Sequence, residues 1–318
     1  MFFDDSRSKL KGLLLLFVFA VSLSVGKGAS AGGSLQCPTT GVWLQVLGAG
    51  GPEIEDLHAS SAYLIWIDGQ ARVLIDIGGG ATLRFAEAGA DFTDIEAIVF
   101  THLHVDHSAG LPALVKSSFF SGRRRDLKVF GPTGNDYLPS MSEFLQRLFS
   151  KTDGVYPYLH EYVDPNQGAY TLLPIVVNPN GNRVWRSSAF GALSLSAIAV
   201  HHGPLPALAW RVDIGSSAIT FSGDTSARGG NLELLADRSD ILVAHNAIPD
   251  SAGGVARKLH MTPTRIGEVA AGAAVKNLVL SHRMLRTFGQ ESNAIKSIRS
   301  NYAGPIEFAE DLSCYRID

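Results

Sequence analysis

The sequence predicts an α/β fold, with two mixed β-sheets packed face to face and helices outside. Three observations carry this. Short apolar, β-branched runs recur in both halves of the 318-residue chain. Some are joined by tight turns and others by segments of helical spacing, so hairpins mix with crossovers. Several of the runs stop at a histidine or aspartate, where a strand end can aim a side chain into a cleft. With 46% apolar and 18% charged residues, the chain can bury a large core, in one large domain or two halves.

The elements follow in order. Val42 to Leu47 reads as a strand, closed by the turn Gly48-Ala49-Gly50-Gly51. Ser61 to Ile67 and Ala71 to Ile77 read as strands joined at Asp68-Gly69. Thr82 to Ala88 is helical, Ile95 to Phe100 a buried strand, and a helix starts near Ala109 and runs to Lys116. Leu127 to Phe130 is a strand and Asp136 to Phe149 a helix. Residues 151–188 hold Pro157, Pro165, Pro174 and Pro179. They read as a loop-rich insertion of irregular strands that can lie over the active site. Ala192 to Val200, Ala207 to Ile214, Ala218 to Ser222 and Ile241 to Ala244 are strands. Thr262 caps a helix with Pro263 in its first turn, running to Ala274. Leu278 to Leu280 is a strand, Asn293 to Arg299 a helix, and Ile306 to Ala309 a last strand.

The N-terminus reads as a leader. Lys9 and Lys11 precede an apolar run from Gly12 to Val25, and Ala29-Ser30-Ala31 offers a small-residue cleavage site. Residues 1–31 are therefore expected to be a signal peptide and residues 32–318 the mature domain, periplasmic or secreted. The other reading is an uncleaved anchor helix, for which the run is short. No second span follows, so no stable membrane span is expected after cleavage. Cys37 and Cys314 leave two possibilities, one disulfide joining the chain ends or two free thiols. A net charge of −3 gives no general basic character to attract nucleic acid. The run Arg123-Arg124-Arg125 reads as a solvated loop.

The chemistry concentrates at Thr101-His102-Leu103-His104-Val105-Asp106-His107. Imidazole nitrogens and a carboxylate are the donors that suit zinc and similar divalent ions. At the frequencies of these residues, chance would produce such a string in roughly five chains in ten thousand. The cluster follows a buried strand and lies on the loop before a helix, where a rigid scaffold can converge several side chains. His102 and His104 lie two apart, and Asp106 and His107 are adjacent. They can serve two neighbouring ions, with further ligands from later in the chain.

Thr-His-x-His-x-Asp-His after an apolar strand resembles the signature of the metallo-β-lactamase-fold hydrolases. That resemblance implies an αββα four-layer sandwich over most of the chain after the leader. It also implies a third histidine where an apolar strand opens into a turn, which His201-His202-Gly203-Pro204 supplies. The family's order of residues favours His202, with His201 as a neighbour. Phe221-Ser222-Gly223-Asp224-Thr225 follows a strand, and Asp224 matches the carboxylate that bridges two ions. Leu278-Val279-Leu280-Ser281-His282 repeats the strand-then-histidine pattern. The expected ligand sets are His102, His104 and His202 for one ion and Asp106, His107 and His282 for the other, with Asp224 between them. Asp76, at the end of its own strand, is either an acceptor that orients a ligand histidine or a structural turn.

His245-Asn246 and His260-Met261-Thr262-Pro263 are similar to positions of the ribonuclease Z and arylsulfatase subgroup, where the first is His-Glu. Asn246 replaces that acid, and an asparagine cannot tune a histidine as a carboxylate does. His260 is the candidate general acid and Asp106 the second catalytic residue. The expected function is an exported hydrolase with two divalent metal ions, zinc (Zn2+) first among them, and no other cofactor. Gly78-Gly79-Gly80 lacks the spacing of a phosphate-binding loop. The expected substrate is a small-molecule phosphodiester or sulfate ester, with no nucleic-acid partner. A β-lactam or lactone is the alternative. A catalytically inactive metal-binding module is the alternative of another class, and a homodimer is compatible with the sequence.

Overall fold

A computed structural model describes residues 37–187, 191 and 193–317. The leader read at residues 1–31 lies outside the described residues, as do Ser188 and Ala192. In chain order the strands of the first half are β1 (Val42–Gly48), β2 (Ala62–Ile67), β3 (Gln70–Ile75), β4 (Ala97–Val99), β5 (Leu127–Pro132) and β6 (Leu172–Val177). Those of the second half are β7 (Trp185–Arg186), β8 (Leu193–Ala199), β9 (Leu208–Ile214), β10 (Ser217–Phe221), β11 (Ile241–His245), β12 (Asn277–Ser281), β13 (Ile306–Phe308) and β14 (Cys314–Ile317). The helices are α1 (Ala81–Glu87), α2 (Val105–Ser108), α3 (Leu111–Ser118), α4 (Met141–Phe149), α5 (Asn231–Ala236), α6 (Ala256–Leu259), α7 (Pro263–Gly272) and α8 (Glu291–Arg299).

Among the described residues the strands form two seven-stranded sheets, ordered β14-β1-β2-β3-β4-β5-β6 and β13-β12-β11-β10-β9-β8-β7. Each sheet is mixed in the same way. In the first, β14, β1, β2 and β3 pair antiparallel, and β3 to β6 pair parallel. In the second, β7 to β10 pair antiparallel, and β10 to β13 pair parallel. Parallel neighbours need crossovers, and the helices supply them.

The inner strands are largely apolar because both of their faces are covered. Side chains alternate faces along a strand. On β2, Tyr63 and Ile65 therefore enter the core between the sheets, while Leu64 and Trp66 enter the core under α1, α3 and α4. On β11, Ile241 and Val243 face the other sheet, while Leu242 and Ala244 pack against α5 and α7. Three cores separate four layers, which is the αββα sandwich. Trp210 is fully buried between the sheets, and its indole Nε1 donates to the Phe100 carbonyl at 2.9 Å, two residues before His102. Truncating such a side chain costs about 3–5 kcal/mol.

Four expectations need amendment. The helix expected from Ala109 begins inside the histidine motif, as α2, so Asp106 and His107 stand on a helical turn. The helix expected from Asp136 starts at Met141, because Ser140 and Glu143 form a capping box. Residues 151–188 hold one edge strand of each sheet, β6 and β7, and Leu159 and Tyr162 are buried with Leu145 and Phe149 of α4. Arg123 is 2% exposed rather than solvated. Its guanidinium donates to the carbonyls of Phe92, Ile95 and Asp126.

The C-terminal strand β14 had no sequence signal. It pairs with β1, and Cys37 and Cys314 form a disulfide with Cα atoms 5.5 Å apart. Among the described residues no helix is long and apolar enough to cross a membrane.

Candidate metal centre

Ligands of open α/β sheets bind beyond the carboxyl ends of parallel strands, and the chemistry of this chain gathers there. Asp76 follows β3, the histidine motif follows β4, Asp224 follows β10, His245 ends β11 and His282 follows β12. His202 lies beyond β8. Tight backbone turns bring these side chains inward. Asp76 and His282 both adopt a left-handed backbone, with φ 52° in each. Non-glycine residues hold such angles at a cost of about 1–3 kcal/mol, and they concentrate at functional sites. Gly223 has φ 57°, and a Cβ there would stand 2.9 Å from the Thr101 Cβ. Only glycine lets Asp224 approach the motif so closely.

Two groups of donors result. His102, His104, His202 and Asp224 offer atoms within 4.8 Å of one another, and so do His107, Asp224, His245 and His282. Asp224 belongs to both. Its Oδ2 is 3.9 Å from His102 Nε2 and 3.7 Å from His202 Nε2. Its Oδ1 is 3.3 Å from His282 Nε2 and 3.9 Å from His107 Nε2. Asp106 joins the second group, its Oδ2 lying 3.2 Å from His282 Nε2 and 3.5 Å from His107 Nε2. The structure thus brings together all seven expected ligands. It places His202 inward and leaves His201 exposed.

The Nε2 atoms of His102, His107 and His202 are buried without a hydrogen-bond partner. Buried polar atoms left this way cost about 1–3 kcal/mol each. Several converging on one carboxylate fit a divalent cation, which neutral imidazole and carboxylate ligate together. The opposite ring nitrogens are held from behind. Asp76 Oδ2 accepts from His107 Nδ1 at 2.8 Å, while Asp76 also accepts from the Thr101 amide at 2.8 Å and the Thr101 hydroxyl at 2.7 Å. His202 Nδ1 donates to the Leu259 carbonyl at 3.0 Å. Such partners fix the tautomer that leaves Nε2 bare. Of the two readings of Asp76, the structure supports the orienting acceptor.

The charges agree with this. Burial alone would raise the Asp224 carboxyl, but the surrounding imidazoles, His282 first, and the His245 hydrogen bond hold it well below the carboxylate range. Asp106, also opposed by burial, is held low mainly by His107 and His282. Burial, reinforced by neighbouring imidazoles, keeps His102 and His104 neutral. Burial works against a charge on His107 too, yet Asp76 and Asp106 raise it to about 9. The same negative charge that favours a proton there favours a cation that displaces it.

His260 Nδ1 stands 3.8 Å from Asp224 Oδ2, and the ring lies 5.4 Å from that of His202 and 5.9 Å from that of His282. It therefore faces both groups. Burial, only partly offset by Asp224, pushes it down to about 4. His245 was not among the expected ligands, yet it lies in the second group. Its strand ends in a histidine as β12 leads into His282, and that was the available signal. Asn246 turns the other way and helps line a cavity of about 170 Å3 with Ile248, Asp250, Pro263, Gln290 and Asn293. Gly78 belongs to the packing of the motif, since a Cβ there would lie 2.2 Å from the Asp106 carbonyl oxygen.

Comparison with known proteins agrees with this architecture. The family model of the Metallo-beta-lactamase superfamily matches residues 56–285. The chain belongs to that superfamily and is a metal-dependent hydrolase. It is similar to Ribonuclease Z of Enterococcus faecalis, with 26% identity over 310 residues covering 86% of this chain and 97% of the relative. The crystal structure of the short form of human tRNase Z aligns with a TM-score of 0.67 at 20% identity, covering 87% of this chain and 99% of that one. The metallo-beta-lactamase fold protein YhfI of Bacillus subtilis aligns with a TM-score of 0.66 at 19% identity, covering 86% and 98%.

These relatives overturn two expectations, the small-molecule ester substrate and the absence of a nucleic-acid partner. Net charge misled because it averages over the whole chain. A divalent metal centre supplies its own local positive charge for a phosphodiester, and a net charge of −3 is blind to it. Ribonuclease Z relatives likewise give no support to the arylsulfatase half of the expected subgroup.

Proposed function

We propose that this chain is a two-metal ribonuclease that hydrolyses a phosphodiester bond in RNA, with transfer-RNA precursors as the first substrate to test. The observation that carries the proposal is Asp224 shared between two converging His/Asp groups, in a chain that resembles ribonucleases over most of its length. His102, His104 and His202 would hold one ion, and Asp106, His107 and His282 the other, with Asp224 serving both. Two zinc ions bound there would supply Lewis acidity and an activated water at neutral pH.

The protein's own groups do the rest. Asp106 and Asp224 are held ionised, so they can accept and orient protons of the attacking water. His260, facing both groups, is placed to hand a proton to the departing ribose oxygen. An anionic phosphate beside it would raise its affinity for that proton above the value it has alone. Arg286 is exposed, donates from Nε to the Ala247 carbonyl at 2.8 Å, and acts electrostatically on His260. It is the cation placed to meet a non-bridging phosphate oxygen.

Export remains part of the proposal. The leader read at residues 1–31 and the Cys37–Cys314 disulfide both fit an oxidising compartment. The test is cleavage of a transfer-RNA precursor by metal-replete protein, with DNA of the same sequence as control. Cleavage of the RNA that stops on chelation supports the proposal. Intact RNA after prolonged incubation with fully loaded protein refutes it. Cell fractionation of the full chain tests export, and cytoplasmic protein with an intact leader would refute that part.

A further inference from the structure

We infer that Tyr63, reaching across from the first sheet, locks His245 as a positioning residue for Asp224 rather than as a metal ligand. This rests on the two-metal reading above and adds a support to it. His245 Nδ1 lies 2.8 Å from Asp224 Oδ1. An ionised carboxylate can only accept, so the proton between them sits on Nδ1. A neutral imidazole protonated there has a bare Nε2, which needs a donor. The Tyr63 hydroxyl donates to Ser281 Oγ, next to His282, at 2.9 Å and lies 3.0 Å from the bare Nε2, so its one proton serves both acceptors as a three-centre bond.

Geometry restricts the arrangement further. The His245 amide donates to Ser222 Oγ at 3.1 Å, which ties the backbone of β11 to the strand end that carries Asp224. Tyr63 is fully buried, with its ring 5.4 Å from that of Phe221. Its body belongs to the core between the sheets, and only the hydroxyl tip meets polar groups. Asn246, where the resembled subgroup carries an acid, faces the other side and cannot take this part. Tyr63 thus fixes the tautomer of His245 and so the orientation of the carboxylate shared by both donor groups. The second ion then takes Asp106, and not His245, as its further ligand.

The test uses the full protein, with Y63F, H245N and H245A, and zinc affinity read by competition with a chromogenic chelator. Phenylalanine keeps the ring and removes one oxygen. Asparagine places an amide N–H near the position of Nδ1 but does not ligate zinc. Outer partners of this kind set metal affinity within about 10–100-fold. Y63F should therefore still bind two ions, each about 10-fold or more weaker. H245N should also bind two ions and recover most of the affinity that H245A loses. The visible spectrum of cobalt-loaded H245N should match the wild type, because no ligand has changed. Unaltered affinity in Y63F overturns the inference. So does H245N that binds one ion, or a cobalt spectrum showing a lost ligand. Thermal unfolding of the chelated variants separates misfolding from lost affinity. Wild-type protein that binds no metal would instead refute the two-metal reading itself.

Discussion

Asp76 offers the sharpest test of how the centre is held, because it touches no metal-facing atom and acts through His107. Its carboxylate is fully buried and accepts three hydrogen bonds, from the Thr101 amide, the Thr101 hydroxyl and His107 Nδ1. In Asp76→Asn, one acceptor oxygen becomes an N–H donor of nearly the same shape. If the amide oxygen stays with Thr101, two donors face each other at His107. The imidazole must then leave its bond unmade or move its proton to Nε2, the atom that faces the second group. A hydrogen bond to a charged group contributes about 1.5–3 kcal/mol. Loss of an orienting partner typically weakens metal binding about 10–100-fold, or about 1.4–2.7 kcal/mol, so the two estimates agree. His107 belongs to the second donor group and not to the first. Stepwise zinc titration against a chelator should therefore show one ion bound as in the wild type and one bound about 10–100-fold more weakly. Two unchanged affinities would refute the orienting role. Equal weakening of both ions would show that the effect spreads through the fold and not through His107.

Other perturbations follow from the same geometry. Asp224→Ala removes the carboxylate shared by both groups, so turnover should fall at least about 10³-fold, while circular dichroism stays close to wild type; measurable RNA cleavage near the wild-type rate would exclude the shared role. Chelation should abolish cleavage and readdition of zinc restore it, and activity that survives exhaustive chelation with metal content at zero would exclude a metal mechanism. His260→Gln should keep both ions and lose about 10²–10⁴-fold in kcat; a change in metal stoichiometry would make His260 a ligand instead. Cys314→Ser should destabilise the domain by about 2–4 kcal/mol, the usual contribution of a disulfide, and an unchanged urea midpoint would show that the bridge contributes nothing.

Much of the fold was legible because each inner strand is a short apolar run that ends at a turn or a polar side chain. The boundaries that failed did so for local reasons. Asp136 begins with helical spacing, but Ser140 and Glu143 cap each other and set the start four residues before Leu145 of the core. Residues 151–188 read as loops and irregular strands because the apolar pattern of β6 is broken along its length. On β6, Leu173 and Val176 are exposed while Leu172 and Val177 are buried, and Pro174 sits between them. β14 is four residues of mixed polarity, and it becomes a strand only because β1 offers an unpaired edge and Cys37 a partner.

The site was legible for a different reason from the substrate. Ligands are tied to strand ends, and strand ends are visible as the place where an apolar run stops at histidine or aspartate. His102, His202, Asp224 and His282 follow strand ends in this way, and His245 ends its own strand, which is why its separate role needed coordinates. Its ring is indistinguishable in sequence from a ligand, and what decides its role is Tyr63, 182 positions away on the other sheet. Substrate choice leaves no such local mark. The absence of a nucleic-acid partner was inferred from net charge, a property of the whole chain, whereas a substrate meets only the metal centre and the residues at its mouth. Arg286 illustrates the difference. One guanidinium scarcely alters a balance of 27 basic and 30 acidic residues, yet it acts electrostatically on His260. Arg286→Ala should accordingly raise KM for RNA about 10-fold, the value of a charge-assisted contact of about 1.4 kcal/mol, and leave zinc affinity unchanged. An unchanged KM would remove Arg286 from the substrate contact, and a fall in zinc affinity would make it part of the scaffold.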